Sequence, residues 1–262
     1  MQHVDVKVHE SIATITLNRP KSRNALSPAV ILDLRTAISD VHQEKRVHAV
    51  VLTGSGEHFC SGMDFSVLAE IADLPSAEAL PEWFATWQQL TELLQDILRL
   101  PKPVVAAVDG AALGAGFGLA LAADMIVASD RAELAANAVK HGLVGGATAA
   151  LLAFRATTSL AARMTLTGRP IDAAEAYRLG LAVKVTSPNQ IWVAASEIAN
   201  QCAVGPREAL QANKRLLNES VGEQLLTQLA VGANDSATSC TTDAAKEGIK
   251  AFVEKRKADW GS

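Results

Sequence analysis

The sequence predicts an α/β fold in which parallel strands alternate with helices, followed by a purely helical region. Two short apolar runs, Val104–Val108 and Met125–Ala128, have the length and composition of buried strands. Between them lie four glycines and a helix-forming stretch, Leu119–Ala123. A strand, glycine turn, helix and strand in this order form a crossover unit, which predicts parallel pairing. From Pro188 onward the apolar residues recur only with helical spacing, which predicts a helical tail.

The overall composition is typical of a globular protein with a sizeable core. The chain has 262 residues, of which 49% are hydrophobic and 20% are charged. The net charge of −4 argues against nucleic-acid binding, since nucleic-acid-binding domains usually carry a basic excess. Three cysteines, Cys60, Cys202 and Cys240, are too few and too widely spaced for a disulfide framework or a metal site.

The N-terminal segment MQHVDVKVHE has neither an apolar signal core nor an Arg/Ser-rich transit pattern. No window of about 18 apolar residues is free of charges or glycine breaks, which argues against a membrane-spanning helix. We therefore expect a soluble cytoplasmic protein that binds neither membranes nor nucleic acids.

The first half of the chain alternates strands and helices. Val4–His9 and Ile12–Leu17 are alternating runs joined by a two-residue link, which predicts a hairpin. Ser27-Pro28 combines an N-cap residue with proline at the first helical position, and so predicts the start of a helix. Further elements are predicted as a strand at Val47–Leu52 and helices at Phe65–Ile71 and Pro81–Leu100.

The second half is less regular. Residues 130–146 are rich in small side chains and show no periodicity that assigns them to a helix or a strand. Ser159–Leu166 and Asp172–Leu179 are predicted helices, with Gly180 ending the second, and Leu181–Val185 is the last predicted strand. Breaks in the helical tail are expected near Gly205-Pro206, Val221-Gly222 and Cys240-Thr241.

Two of the predicted strands, Val47–Leu52 and Val104–Val108, are each followed by a loop of small residues and the start of a helix. If these strands are parallel neighbours, both loops emerge at the same edge of the sheet, where the ligand sites of α/β proteins form. Two backbone amides from separate loops can then converge on one oxygen as an oxyanion hole. The loops match neither a P-loop nor a Rossmann glycine pattern, and no Gly-x-Ser-x-Gly elbow is present. The only sequence feature in favour of a nucleotide site is therefore the presence of glycines at the start of a helix.

Five segments resemble the crotonase superfamily, also called the enoyl-CoA hydratase/isomerase family. In chain order they are LNRPKSRNALS, AVVLTGSGEHFCSGMD, KPVVAAVDGAALGAGFGLALAADMIVAS, LTGRPIDAAEAYRLGLAVKV and EGIKAFVEKRKADW. The resemblance implies a crotonase-like spiral of ββα units, expected over residues 1–190. It also implies a helical C-terminal region over residues 191–262 for trimerisation and for covering the active site. The expected substrate is an acyl-CoA thioester, with no cofactor beyond its coenzyme A, and the expected assembly is a homotrimer or a dimer of trimers.

The resemblance also implies roles for individual residues. The amides of Met63 and Ala115 are expected to stabilise an enolate oxyanion. Phe252 and Lys255 are expected to bind coenzyme A, in many relatives that of a neighbouring subunit. The other residues expected to bind the substrate are Lys21, Ser22, Arg23, Ala25, Ser61, Asp64, Phe65 and Gly114.

Two positions depart from the pattern of the family. Its hydratases use two glutamates to add water, and the matching positions here are Gly118 and Ala138. A general base contributes roughly two to four powers of ten in rate, so ordinary hydration should be crippled. An isomerase, a decarboxylase, a thioester hydrolase and a catalytically silent acyl-CoA-binding protein therefore remain alternatives to a hydratase.

Several polar residues are candidates for the missing acid or base. His141 titrates near neutral pH and lies on the loop of the second lost glutamate, although a surface histidine is the alternative. Asp64 follows the first oxyanion donor, with a helix N-cap as the alternative. Lys140 is more typical of a solvated loop lysine, and Glu133 and Asn137 could face either the pocket or the solvent.

Overall fold

A six-stranded sheet and a smaller three-stranded sheet carry the fold. The computed structural model describes residues 1–220 and 223–261. The large sheet has the strand order β1-β2-β3-β4-β6-β9 and the small sheet the order β5-β7-β8. The strands are β1 Val4–His9, β2 Ile12–Leu17, β3 Ala49–Gly54, β4 Val104–Val108, β5 Ala111–Leu113, β6 Met125–Ser129, β7 Glu133–Ala135, β8 Ile171–Asp172 and β9 Lys184–Thr186.

The pairing confirms the hairpin and the crossover unit. β1 and β2 pair antiparallel, whereas every other neighbouring pair of the large sheet is parallel. β4 and β6 are each followed by a short strand of the small sheet, β5 and β7, which pair in parallel. A helix follows each pair, so the chain repeats a ββα unit as the resemblance implies.

Eleven α-helices lie within the described residues. They are α1 Pro28–Gln43, α2 Phe65–Ala72, α3 Ser76–Arg99, α4 Ala115–Ala122, α5 Gly146–Arg155, α6 Thr158–Thr167, α7 Ala173–Arg178, α8 Ile191–Ala203, α9 Arg207–Arg215, α10 Glu223–Ser239 and α11 Asp243–Val253. Short 3-10 turns lie at Pro20–Ser22, Ala138–His141 and Pro188–Gln190, and a π-helical turn lies at Leu216–Ser220.

The large sheet is buried on both faces. Ile15 and Leu52 belong to the main core with α1 and α3, whereas Val51 and Val105 pack against α8 on the opposite face. Strands covered on both faces have near-continuous apolar sequences rather than alternating ones, which explains the runs that predicted β3 and β4. α8 therefore belongs to the packing of the sheet, although it lies beyond residue 190. No helix of the described ranges has the length and apolarity needed to cross a lipid bilayer.

Several element boundaries differ from those expected. β3 begins at Ala49 rather than Val47, and β9 occupies Lys184–Thr186 rather than Leu181–Val185. α3 begins at Ser76, so Pro81 lies inside it. This proline is tolerated because the carbonyl that it leaves unbonded, on Ala77, lies at an exposed helix start. The stretch 130–146 contains β7 and a 3-10 turn, and the expected break at Val221-Gly222 lies outside the described residues.

Candidate active site

The two glycine-containing loops leave the same edge of the large sheet, because β3 and β4 are parallel neighbours. The loop after β3 runs alongside β5. The Cys60 amide donates to the Ala111 carbonyl at 3.0 Å, and the Cys60 carbonyl accepts from the Leu113 amide at 3.0 Å. Backbone hydrogen bonds therefore hold the loop after β3 against the segment that follows β4.

The backbone around Met63 is held on one side only. The Gly62 carbonyl accepts from the Leu26 amide at 2.8 Å, and the Asp64 amide donates to the Leu26 carbonyl at 2.9 Å. Met63 thus forms a parallel bridge with Leu26, and in such a bridge the amide of the middle residue points to the opposite side. That side faces β5 and the start of α4.

Gly62 and Gly114 bring the two loops together. Gly62 has φ +96°, and a Cβ on it would lie 2.7 Å from the Leu113 oxygen and 3.4 Å from the Ala115 nitrogen. Gly114 has φ +51°, so both positions require the left-handed conformations that favour glycine. The Ala115 nitrogen therefore lies close to the loop that carries Met63.

The amides of Met63 and Ala115 are free to bind a ligand. Ala115 is the first residue of α4, and the first amides of a helix have no intrahelical partner. Within residues 1–220 and 223–261, no protein acceptor binds the amide of Met63 or Ala115. The positive end of the α4 dipole adds to the attraction for an oxygen that gains negative charge.

A cavity of about 580 Å³ opens beside these amides. Its exposed rim carries three cations, Lys21, Arg23 and Lys255, and its inner wall includes the buried side chains of Trp87 and Leu90. A charged rim and an apolar interior suit a ligand with a polyanionic end and an acyl end. Every residue expected to bind the substrate lines this cavity, namely Lys21, Ser22, Arg23, Ala25, Ser61, Asp64, Phe65, Gly114, Phe252 and Lys255.

Three rings close one side of the cavity. The ring centroids of Phe65 and Phe252 lie 4.1 Å apart, and the His141 ring stands edge-on to both, at 5.0 Å and 5.4 Å. These residues come from α2, from α11 and from the 3-10 turn after β7. Phe252 and Lys255 thus line the cavity of their own chain, and contact with a neighbouring subunit's ligand stays a prediction from the resemblance.

The match to known proteins agrees with this geometry. The chain fits the family described as Enoyl-CoA hydratase/isomerase over residues 7–262. The chain belongs to the enoyl-CoA hydratase/isomerase family.

Relatives cover nearly the whole chain. A Thermus thermophilus protein that carries an enoyl-CoA hydratase name is 35% identical over 245 residues, 94% of this chain and 95% of the relative. The short-chain-enoyl-CoA hydratase of Clostridium acetobutylicum is 30% identical over 261 residues, 99% of this chain and 97% of the relative. The crystal structure of carnitinyl-CoA hydratase from Mycobacterium avium superposes with a TM-score of 0.84 at 31% identity, covering 100% of this chain and 99% of that one.

Neither position of the two hydratase glutamates carries a group that transfers protons. Ala138 lines the cavity, but Gly118 does not. Thr148 lines the cavity instead, and a Cβ on Gly118 would lie 2.9 Å from its Oγ1. The Thr148 hydroxyl donates to the Gly114 carbonyl at 3.0 Å. A neutral hydroxyl in the lining of the cavity therefore lies directly beside position 118.

Asp64 is the N-cap of α2, the structural alternative to a catalytic role. It caps α2 by accepting from the Ser66 amide at 3.2 Å, and it accepts from Arg19 Nη1 at 2.9 Å. Burial alone would raise the pKa of the Asp64 carboxyl, but hydrogen bonds from Ser66 and Arg19 outweigh burial and keep the pKa below its usual range. Asp64 is therefore an ionised, paired carboxylate near neutral pH.

His141 lines the cavity and is partly buried against the two phenylalanines. Burial, with a smaller contribution from the charge of Lys140, lowers the pKa of His141 below its usual value. The imidazole is thus neutral near pH 7 and able to accept a proton.

The remaining polar candidates differ in whether they line the cavity. Lys140 and Glu133 are exposed and do not line the cavity, whereas Asn137 does. Cys60 is fully buried, and burial raises the pKa of its thiol to about 12, so it is not a nucleophile. Sequence patterns gave no signal for three further lining residues, Thr91, Thr148 and Ser236.

Proposed function

We propose that this family member processes acyl-CoA thioesters through an enolate whose oxygen accepts hydrogen bonds from the amides of Met63 and Ala115. The observation that carries the proposal is that these two amides, from separate loops, border one cavity without protein acceptors in the described residues. Donors that are already in place cost no reorganisation when charge develops on the oxygen, and removing one such donor typically costs about 10²–10³ in rate.

The proposed orientation of the substrate follows from the charge of the lining. Lys21, Arg23 and Lys255 at the exposed rim suit the phosphates of coenzyme A. The acyl group would then extend past the two amides toward Trp87 and Leu90. Coenzyme A enters as part of the substrate, and the proposed chemistry needs no further cofactor.

The proton-transfer step distinguishes the possible reactions. Gly118 and Ala138 supply no carboxylate, so the water addition of a two-glutamate hydratase lacks its acid and base. Isomerisation or thioester hydrolysis would have to use another base, for which we propose His141. Decarboxylation of a 2-carboxyacyl thioester is favoured by a separate observation, the neutral Thr148 and Ala138 in the lining. Its enolate forms when the bond to the carboxylate breaks, the electron pair passes to the thioester carbonyl and carbon dioxide leaves, which requires no enzymic base. The α-carbon then takes a proton from water.

Binding and turnover test the proposal. Calorimetry with crotonyl-CoA and malonyl-CoA should show saturable binding, and mass spectrometry of a thioester panel should reveal which one is converted. Saturable binding with no turnover of any thioester would favour a silent acyl-CoA-binding protein. The absence of saturable binding would contradict the proposed function altogether.

Removing one donor tests the oxyanion hole itself. Ala115→Pro deletes the amide hydrogen at the first position of α4, where proline is compatible with a helix. We expect turnover to fall about 10²–10³-fold with the fold retained. Thr158→Pro, at the exposed first position of α6 and away from the cavity, is the matched control. Equal turnover by the two variants would contradict the role of the Ala115 amide.

A trimer or a dimer of trimers, and a cytoplasmic location, stay predictions from the resemblance and the composition. Light scattering on the purified chain tests the assembly.

A further inference from the structure

Asn137 lies beside the oxyanion hole. It directly precedes Ala138, and its Oδ1 lies 3.4 Å from the position that a Cβ would take on Gly114. Gly114 immediately precedes Ala115, whose amide is one of the two proposed donors. The carboxamide of Asn137 is thus packed against the peptide that carries the Ala115 amide, and the residue lines the cavity.

Among the residues that the structure describes, no hydrogen bond gives the carboxamide a structural role. The 3-10 turn that follows is held by the backbone carbonyl of Asn137, which accepts from the Lys140 amide at 3.0 Å, while the side chain does not cap the turn. In the described ranges, the carboxamide forms no hydrogen bond with another protein group. It therefore keeps two N–H donors and one carbonyl acceptor available to whatever fills the cavity.

The chemistry of the carboxamide and of its neighbours limits the role of Asn137. A carboxamide neither gains nor loses a proton near neutral pH, so Asn137 cannot replace a glutamate as acid or base. It can, however, donate a hydrogen bond to an oxygen that becomes negative. The nearby lining groups Thr148 and Ala138 are neutral and do not compete for that donor with a charge.

We propose that Asn137 is a third hydrogen-bond donor at this site. The carboxamide atom beside Gly114 is Oδ1, and a half-turn about the Cβ–Cγ bond, which no hydrogen bond within the described residues opposes, brings Nδ2 to the same place. Nδ2 then donates to an oxygen of the thioester ligand that gains negative charge in the enolate. The inference rests on the proposed function, because it requires a thioester whose carbonyl lies between the amides of Met63 and Ala115. Asn137 binds and orients the enolate and transfers no proton.

Acetoacetyl-CoA tests this role in a binding experiment, so the reaction that the protein catalyses need not be known. Its α-carbon loses a proton to the solvent, and the electron pair of that C–H bond is delocalised onto the two carbonyl oxygens. The enolate fraction of the bound ligand is read from its ultraviolet absorbance across a pH series, with calorimetry reporting the affinity. A donor to the enolate lowers the pH at which half of the bound ligand is ionised.

Three variants of the full chain make the test specific. Asn137→Ala should reduce the enolate fraction about tenfold at a pH where little enolate forms, since it removes one hydrogen bond to a charged oxygen. Asn137→Asp should reduce it further, because a carboxylate repels the enolate. Asn189→Ala, an exposed asparagine on another 3-10 turn, should match the wild type.

The outcomes separate this inference from the proposed function. An unchanged enolate fraction in Asn137→Ala, with binding retained, would overturn the role of Asn137 alone. A wild type that does not bind acetoacetyl-CoA would overturn the proposed function and this inference with it. Thermal unfolding of each variant verifies that the chain is folded in the titration.

Discussion

Thr148 Oγ1 lies 2.9 Å from the position that a Cβ would take on Gly118, so Thr148 occupies the space beside this glycine. Gly118→Glu should therefore destabilise the protein by about 1–3 kcal/mol through overpacking. In a Thr148→Ala background the same change should cost less, because the obstructing hydroxyl is gone. Denaturant unfolding of the two single variants and the double variant measures this coupling. If the changes in the free energy of unfolding of the two single variants simply add up in the double variant, positions 118 and 148 are not coupled.

Restoring both glutamates should create hydratase activity. Ala138 lines the cavity, and Thr148→Ala makes room beside residue 118. We expect Gly118→Glu/Ala138→Glu/Thr148→Ala to hydrate crotonyl-CoA about 10²-fold faster than the wild type, within the usual contribution of general acid–base catalysis. The triple variant with glutamine at 118 and 138 is the isosteric control. Equal rates for the glutamate and glutamine versions would refute the prediction.

His141 should make the protein sensitive to acid. Its pKa is lowered in the folded state, so below about pH 6.5 the unfolded chain binds this proton more readily than the folded one. Stability is therefore lost as pH falls through that value toward the lowered pKa, and no penalty exists above it. Between about pH 7.5 and about pH 5.5, the melting temperature should therefore fall less in the His141→Gln variant than in the wild type. His9→Gln, at an exposed histidine, is the control, and a parallel loss in all three proteins would exclude His141 as the cause.

The ion pair of the buried Lys214 with the half-buried Asp124 attaches the C-terminal helices to the sheet. Lys214 Nζ lies 2.8 Å from Asp124 Oδ2 and also donates to the carbonyls of Ile97 and Lys102, at 3.2 Å and 3.0 Å. Lys214→Met removes this ammonium group, although Asp124 Oδ2 still accepts from the Val104 amide at 2.7 Å, and should cost about 1.5–3 kcal/mol.

The exposed pair of Lys184 and Glu197, at 3.0 Å, provides the comparison for Lys214. Lys184→Met should change the free energy of unfolding by about 0–1 kcal/mol. Urea unfolding measures both variants. If Lys184→Met and Lys214→Met lower the free energy of unfolding by similar amounts, burial does not make the Lys214 contacts more stabilising than the exposed pair.

Removing either of two hydroxyls that line the cavity should have opposite effects on the stability of the protein. Thr91 Oγ1 is buried without a hydrogen-bond partner among the described residues, whereas Ser236 Oγ donates to the Gly232 carbonyl at 2.7 Å and accepts from the Gly146 amide at 3.1 Å. Thr91→Val should be neutral or stabilising by about 1 kcal/mol, and Ser236→Ala should cost about 1–3 kcal/mol. Thermal unfolding of both variants checks this, and a large loss for Thr91→Val would reveal a partner of its hydroxyl.

Local patterns explain what could be predicted. The Ser27 cap, the hairpin before it and the parallel pairing of β4 with β6 follow from turn chemistry and hydrophobic patterns within short stretches of the chain. The boundaries of α3 and β9 were wrong because a solvated helix end tolerates proline and because pairing, rather than apolar content, ends a strand.

The sequence by itself determined the α/β order, the two glycine loops that carry the free amides, and the absence of glutamate at positions 118 and 138. Only the tertiary structure decided which polar side chains reach the cavity. It brings Asn137 there and leaves Glu133 exposed, and it places Thr148 beside Gly118. The physical reason is that these approaches depend on how helices pack. The backbones of α5 and α10 are in direct contact where Gly146 meets Gly232, far apart in the chain, and no local pattern encodes that contact.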